Sequence, residues 1–178
     1  MSPRNGLPVK YGRVNRVAPK VEPTELDVQV HRLTEQCEGC TGYKVKSIPR
    51  DWREDSRTFS RVWSRRPKVL RLAVEHARRV QGRVLRRTRL GWAEHTLDWW
   101  VSVHAPVDEK RLTDVIRTWI GLSLKDARAL ARTLNANPGP SLTVPLTFTE
   151  SERARTADEA TRALLAHVGL TAWSTWGY

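Results

Sequence analysis

The sequence predicts an α+β fold: a small sheet with β-α-α-β-α-β order packed on helices over residues 97–178, preceded by a basic, partly helical region over 31–96 and a basic, disordered N-terminal arm over 1–30. Three observations carry this division. Apolar residues recur at three- and four-residue spacing in 112–120, 124–134 and 150–168, the signature of helices with one buried face. Alternating, β-rich runs at 97–105, 142–148 and 170–176 mark strands between them. Charge divides the chain as well: residues 1–98 carry 22 Lys and Arg against 11 Asp and Glu, whereas residues 99–178 carry 9 against 8.

The arm comes first. Pro3, Pro8, Pro19 and Pro23 interrupt regular structure, and Gly6 and Gly12 loosen the chain. Arg4, Lys10, Arg13, Arg16 and Lys20 recur among small and apolar residues. Such a segment buries too little apolar surface to offset its ordering entropy, and its charge suits ordering along phosphates.

Cys37 and Cys40 follow, in a single Cys-x-x-Cys. Tetrahedral zinc needs four ligands. His31 is a third candidate, and His76 or His95 would have to arrive from elsewhere, so zinc is a weak alternative to two ordinary thiols in a turn. A thioredoxin-like redox motif would need a helix after the cysteines. Gly42 and the alternating Tyr43-Lys44-Val45-Lys46 predict a short strand there instead.

Residues 57–89 hold 12 basic residues against one acid, Glu75. Pro67 suits a helix's first turn. Val69, Leu70, Ala73, Val74, Ala77, Val80 and Val84 recur at helical spacing, so the pattern predicts a helix that takes in Val84, with Gly82 its weak point. Arg65, Arg66, Arg71, Arg78, Arg79, Arg83, Arg86 and Arg87 are the candidate nucleic-acid-binding residues. A solvated face is the plain alternative, but crowded like charges repel at i,i+4 spacing, whereas a phosphate backbone would neutralise them. Trp52, Phe59, Trp63 and Trp92 flank the stretch, as buried anchors or as platforms for unpaired bases.

In the C-terminal part, Pro106 closes the first strand and Asp108 caps a helix whose inward residues are Leu112, Val115, Ile116, Trp119 and Ile120. Gly121 ends it. Ser123 caps a second helix with Leu124, Ala127, Leu130, Ala131 and Leu134 inward, giving a tight αα-hairpin. Pro145 predicts an edge position for the strand at 142–148. A single helix over 150–168 should bury Ala154, Ala157, Ala160, Leu164, Leu165 and Val168, and Gly169 should end it before a last strand.

The stretch Gly121-Leu122-Ser123-Leu124-Lys125-Asp126-Ala127-Arg128, set in this element order, resembles the C-terminal domain of the bacterial ribosomal stalk protein over about residues 99–176. That family carries Gly-Leu-Gly/Ser-Leu-Lys-Glu-Ala-Lys between its first two helices. The resemblance implies a hairpin surface that docks onto translation GTPases, formed here by Arg117, Lys125, Asp126 and Arg128. Asp114 stands where the family tends to have Lys, Ser123 takes the place of a frequent Gly, and the family's N-terminal dimerisation helices and acidic hinge are replaced by the basic half. The element order also resembles the Clp protease adaptor ClpS, whose Asn-Asp-Asp recognition motif is absent. A rival reading of 113–132 is a helix-turn-helix presenting Lys125, Arg128 and Arg132 to a DNA groove.

Global properties bound the rest. The chain has 178 residues, a net charge of +12 and a pI near 10.6. Such charge favours polyanionic partners, nucleic acid before an anionic membrane surface. No apolar run reaches the roughly 18 residues that span a bilayer, the first residues hold no signal-peptide core, and two cysteines make no disulfide framework, so the sequence predicts a cytoplasmic protein. There is no Gly-rich phosphate loop, nucleophile elbow or His-Glu-x-x-His, and neither His104 with Asp108 nor Glu94 with His95 has a matching nucleophile. The expectation is a non-enzymatic protein without a cofactor that binds nucleic acid, foremost structured RNA such as that of the ribosome, and a protein partner at the hairpin. The alternatives are an assembly protein, for instance of a phage particle, and a DNA-binding regulator.

Overall fold

The structure is a computed structural model that describes residues 10–33, 42–46 and 66–175. In chain order its elements are β1 (Lys10–Arg13), β2 (Val28–Leu33), β3 (Gly42–Lys46), α1 (Arg66–Val80), β4 (Val84–Thr88), β5 (Gly91–Glu94), β6 (Thr96–Val103), α2 (Glu109–Ile120), α3 (Leu124–Ala136), β7 (Ser141–Thr147), α4 (Phe148–Arg155), α5 (Glu159–His167) and β8 (Leu170–Thr175). The fold is mixed α+β. The chain forms two compact units, one within residues 17–95 and one in which residues 96–175 are joined by 10–16.

In the first unit the sheet order is β3-β2-β4-β5. β2 and β4 run parallel, a pairing that requires a long crossover, and α1 lies on that connection. Pro67 sits in the first turn of α1, where its missing N–H breaks no bond, and Arg78 and Arg79 in the last turn suit the helix dipole. Ala73, Val74, His76 and Ala77 are buried, and Arg71, Glu75 and Arg79 are exposed.

The helix stops at Val80, short of the end its apolar spacing predicts. Gln81 takes a left-handed φ of 57° and the Gly82 N–H donates to the Ala77 carbonyl at 2.9 Å. A Cβ at Gly82 would lie 1.9 Å from the Leu26 carbonyl oxygen, so only glycine lets the two chain segments meet there. Val84 is buried as predicted, but on a strand, paired with Val28.

In the second unit the sheet order is β1-β7-β6-β8. Along β6, Trp99, Val101 and Val103 are buried against the apolar faces of α2 and α3, with Leu142, Val144, Leu146 and Leu170 from the neighbouring strands, and Leu97 is buried as well. Trp99 meets Trp119 edge to face at 5.5 Å and donates its indole N–H to Ser151 at 3.2 Å, which satisfies the one polar group this ring brings into the core.

Several sequence expectations change in this unit. The arm gains structure over its described part: Lys10–Arg13 forms β1, parallel to β7, and Val14 N–H donates to Thr143. Strand β7 is therefore flanked on both sides rather than an edge. Pro145 is tolerated because β1 pairs only with residues 141–143, and where the next β1-side bond would fall, Arg16 donates to the Pro145 carbonyl at 2.9 Å. The single helix over 150–168 is two helices, α4 and α5. Thr147 and Glu150 form a capping box that opens α4, and Asp158 accepts from Thr161 N–H at 2.7 Å to open α5. The break resets the helical phase, which leaves Leu164 exposed while Ala154 and Val168 stay buried. Leu124, expected inward on α3, is also exposed.

Candidate nucleic-acid and partner surfaces

The predicted basic residues do not share one helix. Arg65 lies outside the described residues, as do Cys37, Cys40, Trp52, Phe59 and Trp63. Arg66 opens α1, Arg87 lies on β4 and His31 on β2. Arg71 is exposed and stands 3.9 Å from Glu75, a solvent-screened pair of small energetic weight. Arg78 is half-buried. Arg79 is exposed and donates to Nδ1 of the buried His76 at 2.9 Å. A guanidinium can only donate, so this bond fixes Nδ1 as the ring's unprotonated nitrogen. Arg86 is exposed on β4, and so is Arg89 in the turn after it, a residue outside the predicted set although the same basic run contains it.

Arg83 has a different role from its neighbours. It lies between α1 and β4 and closes on Asp27, which is 1% exposed. Its Nε donates to Oδ1 at 3.1 Å, a terminal nitrogen donates to Oδ2 at 2.7 Å, and its backbone N–H reaches Oδ1 at 2.9 Å. Thr24 N–H adds a fourth bond at 2.8 Å, and Glu94 lies 3.7 Å away. Burial pushes the Asp27 carboxyl up, but the bonds from Arg83 and Thr24 and the guanidinium charge outweigh it, so the net direction is down. Arg83 joins the start of β2 to the start of β4. Only the long-range partner distinguishes it, and no local sequence signal marks that.

The hairpin residues gather as expected of adjacent helices. Asp108 accepts from Arg111 N–H at 2.9 Å and Ser123 from Asp126 N–H at 3.1 Å. Gly121, with a left-handed φ of 82°, ends α2. Arg117, Lys125 and Arg128 are exposed. Asp126 is partly buried and faces Arg16 at 3.6 Å. Arg16 holds Glu150 through two bonds of 2.8 Å, and these bonds keep its guanidinium above its ordinary range. Arg128 and Arg132 both approach Glu109 on α2, at 4.0 and 3.0 Å. Beside the hairpin turn, Asp114, Arg117, Thr118, Gly121, Leu122 and Arg153 line an open cleft of about 490 Å³. Arg153, which sequence reasoning missed, donates to the Thr118 carbonyl at the end of α2.

No protein-family model, curated protein or solved structure matches the chain. Among the described residues, no cluster of three or more His, Cys, Asp or Glu could hold a metal ion, and no helix is long and apolar enough to cross a membrane.

Proposed function

We propose that the protein is a non-enzymatic nucleic-acid-binding protein whose basic face lies in the unit of residues 17–95, with structured RNA its foremost ligand. One observation carries this reading: residues 57–89 hold 12 basic residues and one acid, and in the described part Arg71, Arg79, Arg86 and Arg89 are exposed. Arg86 and Arg89 make no ion pair among the described residues, and the pair of Arg71 with Glu75 is a solvent-screened contact that a phosphate can replace, while Arg79 holds the buried His76 ring and stays exposed itself.

The hairpin of the second unit supports a protein contact rather than DNA reading. Arg132, and more loosely Arg128, are drawn to Glu109 instead of standing clear for a groove, while Arg117 and Lys125 remain exposed. An acidic protein surface is the complementary partner.

The test is salt dependence. Replacing Arg71, Arg79 and Arg86 with Gln should flatten the log–log salt slope for a duplex RNA by about 2–3 in total, at roughly 0.7–0.9 per lost phosphate contact. An unchanged slope would refute the assignment.

A further inference from the structure

Strands β4 and β5 form a hairpin with a buried base and an exposed tip. Leu85 pairs with Glu94, Arg86 with Ala93, Arg87 with Trp92 and Thr88 with Gly91, which leaves Arg89 and Leu90 as a two-residue turn. Val84, Leu85, Ala93 and Glu94 are buried at the base. The turn is tied: the Thr88 hydroxyl donates to the Gly91 carbonyl at 2.8 Å and accepts from Leu90 N–H at 3.3 Å. Beyond β5, Val21 N–H donates to the Trp92 carbonyl at 2.8 Å and Lys20 bridges to Ala93. The Lys20 stem lies over Gly91, with its Cε 2.9 Å from where a Cβ would stand, so a lysine accompanies the arginines near the tip. Leu90 is 81% exposed at the end of this hairpin. Turn chemistry does not call for it. Two-residue hairpin turns favour Asn-Gly or Asp-Gly, and here the positive φ falls to Gly91, at 125°, rather than to Arg89 or Leu90. The core does not call for it either. The fold thus holds an aliphatic side chain in water, within a run of residues 84–93 that has three arginines and no acid.

We propose that Leu90 is an apolar wedge that enters the interrupted base stack at a bulge in a structured RNA, while Arg86, Arg89 and Lys20 hold the phosphates around it. The inference deepens the nucleic-acid-binding reading of this unit and rests on it. The ligand must offer negative charge and an apolar surface side by side. An unbroken RNA stem offers phosphates but hides the faces of its bases, whereas a bulge exposes both. Aliphatic side chains do insert between base steps, at the cost of unstacking them, and a bulge has already lost that stacking. The tied turn presents Leu90 with little left to order on binding. Arg86 lies four residues back, up to about 13 Å along the strand, and can reach a phosphate away from the wedge. The pair of Lys20 with Glu22, at 3.7 Å, joins side chains 60% and 87% exposed, a contact that a phosphate can replace. The bonds from residues 20 and 21 occupy the outer side of β5, which argues against a hairpin that works by adding a partner's strand.

The full-length protein is titrated with a fluorescein-labelled RNA hairpin of unbroken stem and with the same hairpin carrying an adenosine bulge. The wild type should bind the bulged RNA more tightly. Leu90→Ala should weaken bulge binding about 5- to 50-fold, the loss expected for most of a leucine's buried apolar surface. It should leave binding to the unbroken stem, and its salt slope, unchanged, and Leu90→Met should restore most of the loss. Because Leu90 is exposed, the urea midpoint of these variants should match that of the wild type. A 2-aminopurine beside the bulge should brighten when the wild type binds and respond less to Leu90→Ala. Equal affinity of the wild type for the two RNAs, or equal weakening of both by Leu90→Ala, overturns the wedge and leaves the basic face standing. A salt slope unmoved by the arginine changes, with Leu90→Ala still selective against the bulge, overturns the basic face and leaves the wedge. If Leu90→Ala instead dissociates an oligomer in sedimentation, without changing bulge affinity, the tip is a protein contact and the proposal fails.

Discussion

Removing the Asp27 carboxylate should destabilise the unit of residues 17–95 by about 3–4 kcal/mol. The figure follows from what Asp27→Ala would strand. Two backbone N–H groups, of Thr24 and Arg83, lose their acceptor, at roughly 1 kcal/mol each. The Arg83 guanidinium loses both side-chain bonds to Asp27. Its side chain is 27% exposed and keeps Glu94 at 3.7 Å and the Glu22 carbonyl at 3.1 Å, so the charge is not wholly orphaned. The roughly 3–5 kcal/mol for breaking a fully buried pair is therefore an upper bound, and about 1–2 kcal/mol is the share left for the guanidinium. The loss is a large fraction of the roughly 5–15 kcal/mol that holds a typical domain. Urea unfolding of wild type and variant at about pH 7 measures it. Because the folded-state pKa of Asp27 is depressed, its stabilisation is complete above the ordinary carboxylate range and fades as pH falls through the folded value. The gap between wild type and Asp27→Ala should therefore close in acid, and Asp27→Asn, which keeps an acceptor, should fall between the two. A loss below about 1 kcal/mol near neutral pH, or a gap indifferent to acid, would refute the reasoning.

Other expectations follow from the same contacts. Arg83→Gln should lower stability in urea while leaving the salt slope of RNA binding in place, whereas Arg86→Gln should do the reverse. Arg16→Ala should destabilise the second unit by roughly 2–3 kcal/mol, because Glu150 loses its guanidinium partner and keeps only the Thr147 N–H of the capping box, and a chain shortened to residues 97–178 should lose at least as much, read as a drop in the urea midpoint. Gly82→Ala should be destabilising by more than the usual overpacking range of roughly 1–3 kcal/mol, since the added carbon meets backbone, not a side chain that can move; thermal melting of that variant checks it.

Local chemistry was legible and long-range pairing was not. Asp108, Ser123, Gly121 and Gly169 could be placed at helix ends because capping depends on a few neighbouring residues, and each sits where its residue type dictates. The alternation of 97–105 likewise marks a strand, and β6 occupies Thr96–Val103. By contrast, β1 has no apolar alternation, and the prolines and charges around it read as an arm. It becomes a strand because β7 presents a free edge and Arg16 fixes the exit of the chain. The helical pattern that continued past Val80 failed for a related reason. Val84 keeps the right spacing for a helix, but Gly82 is pinned against Leu26 and the chain cannot continue its turn there. The candidate site was legible as a concentration of charge, while the separation of Arg83 from Arg71, Arg79 and Arg86 depends on Asp27, 56 residues away from it in sequence.

That separation bears on function through the placement of acids. In the described part of the first unit, Asp27 and Glu94 both gather at Arg83, Glu22 lies 3.7 Å from Lys20, and Glu75 is the one acid on the exposed side of α1. Asp27, Glu94 and Glu22 are thus engaged elsewhere, and none of the described acids, the exposed Glu25 included, pairs with Arg86 or Arg89. Crowded positive charge opposes the compact state through self-repulsion, so these side chains gain nothing for stability by standing where they do. A polyanion that binds the folded unit removes the repulsion and shifts the folding equilibrium toward the native state. Charge that the fold does not use, held outward on a helix and a strand, is what the proposed polyanion-binding role requires.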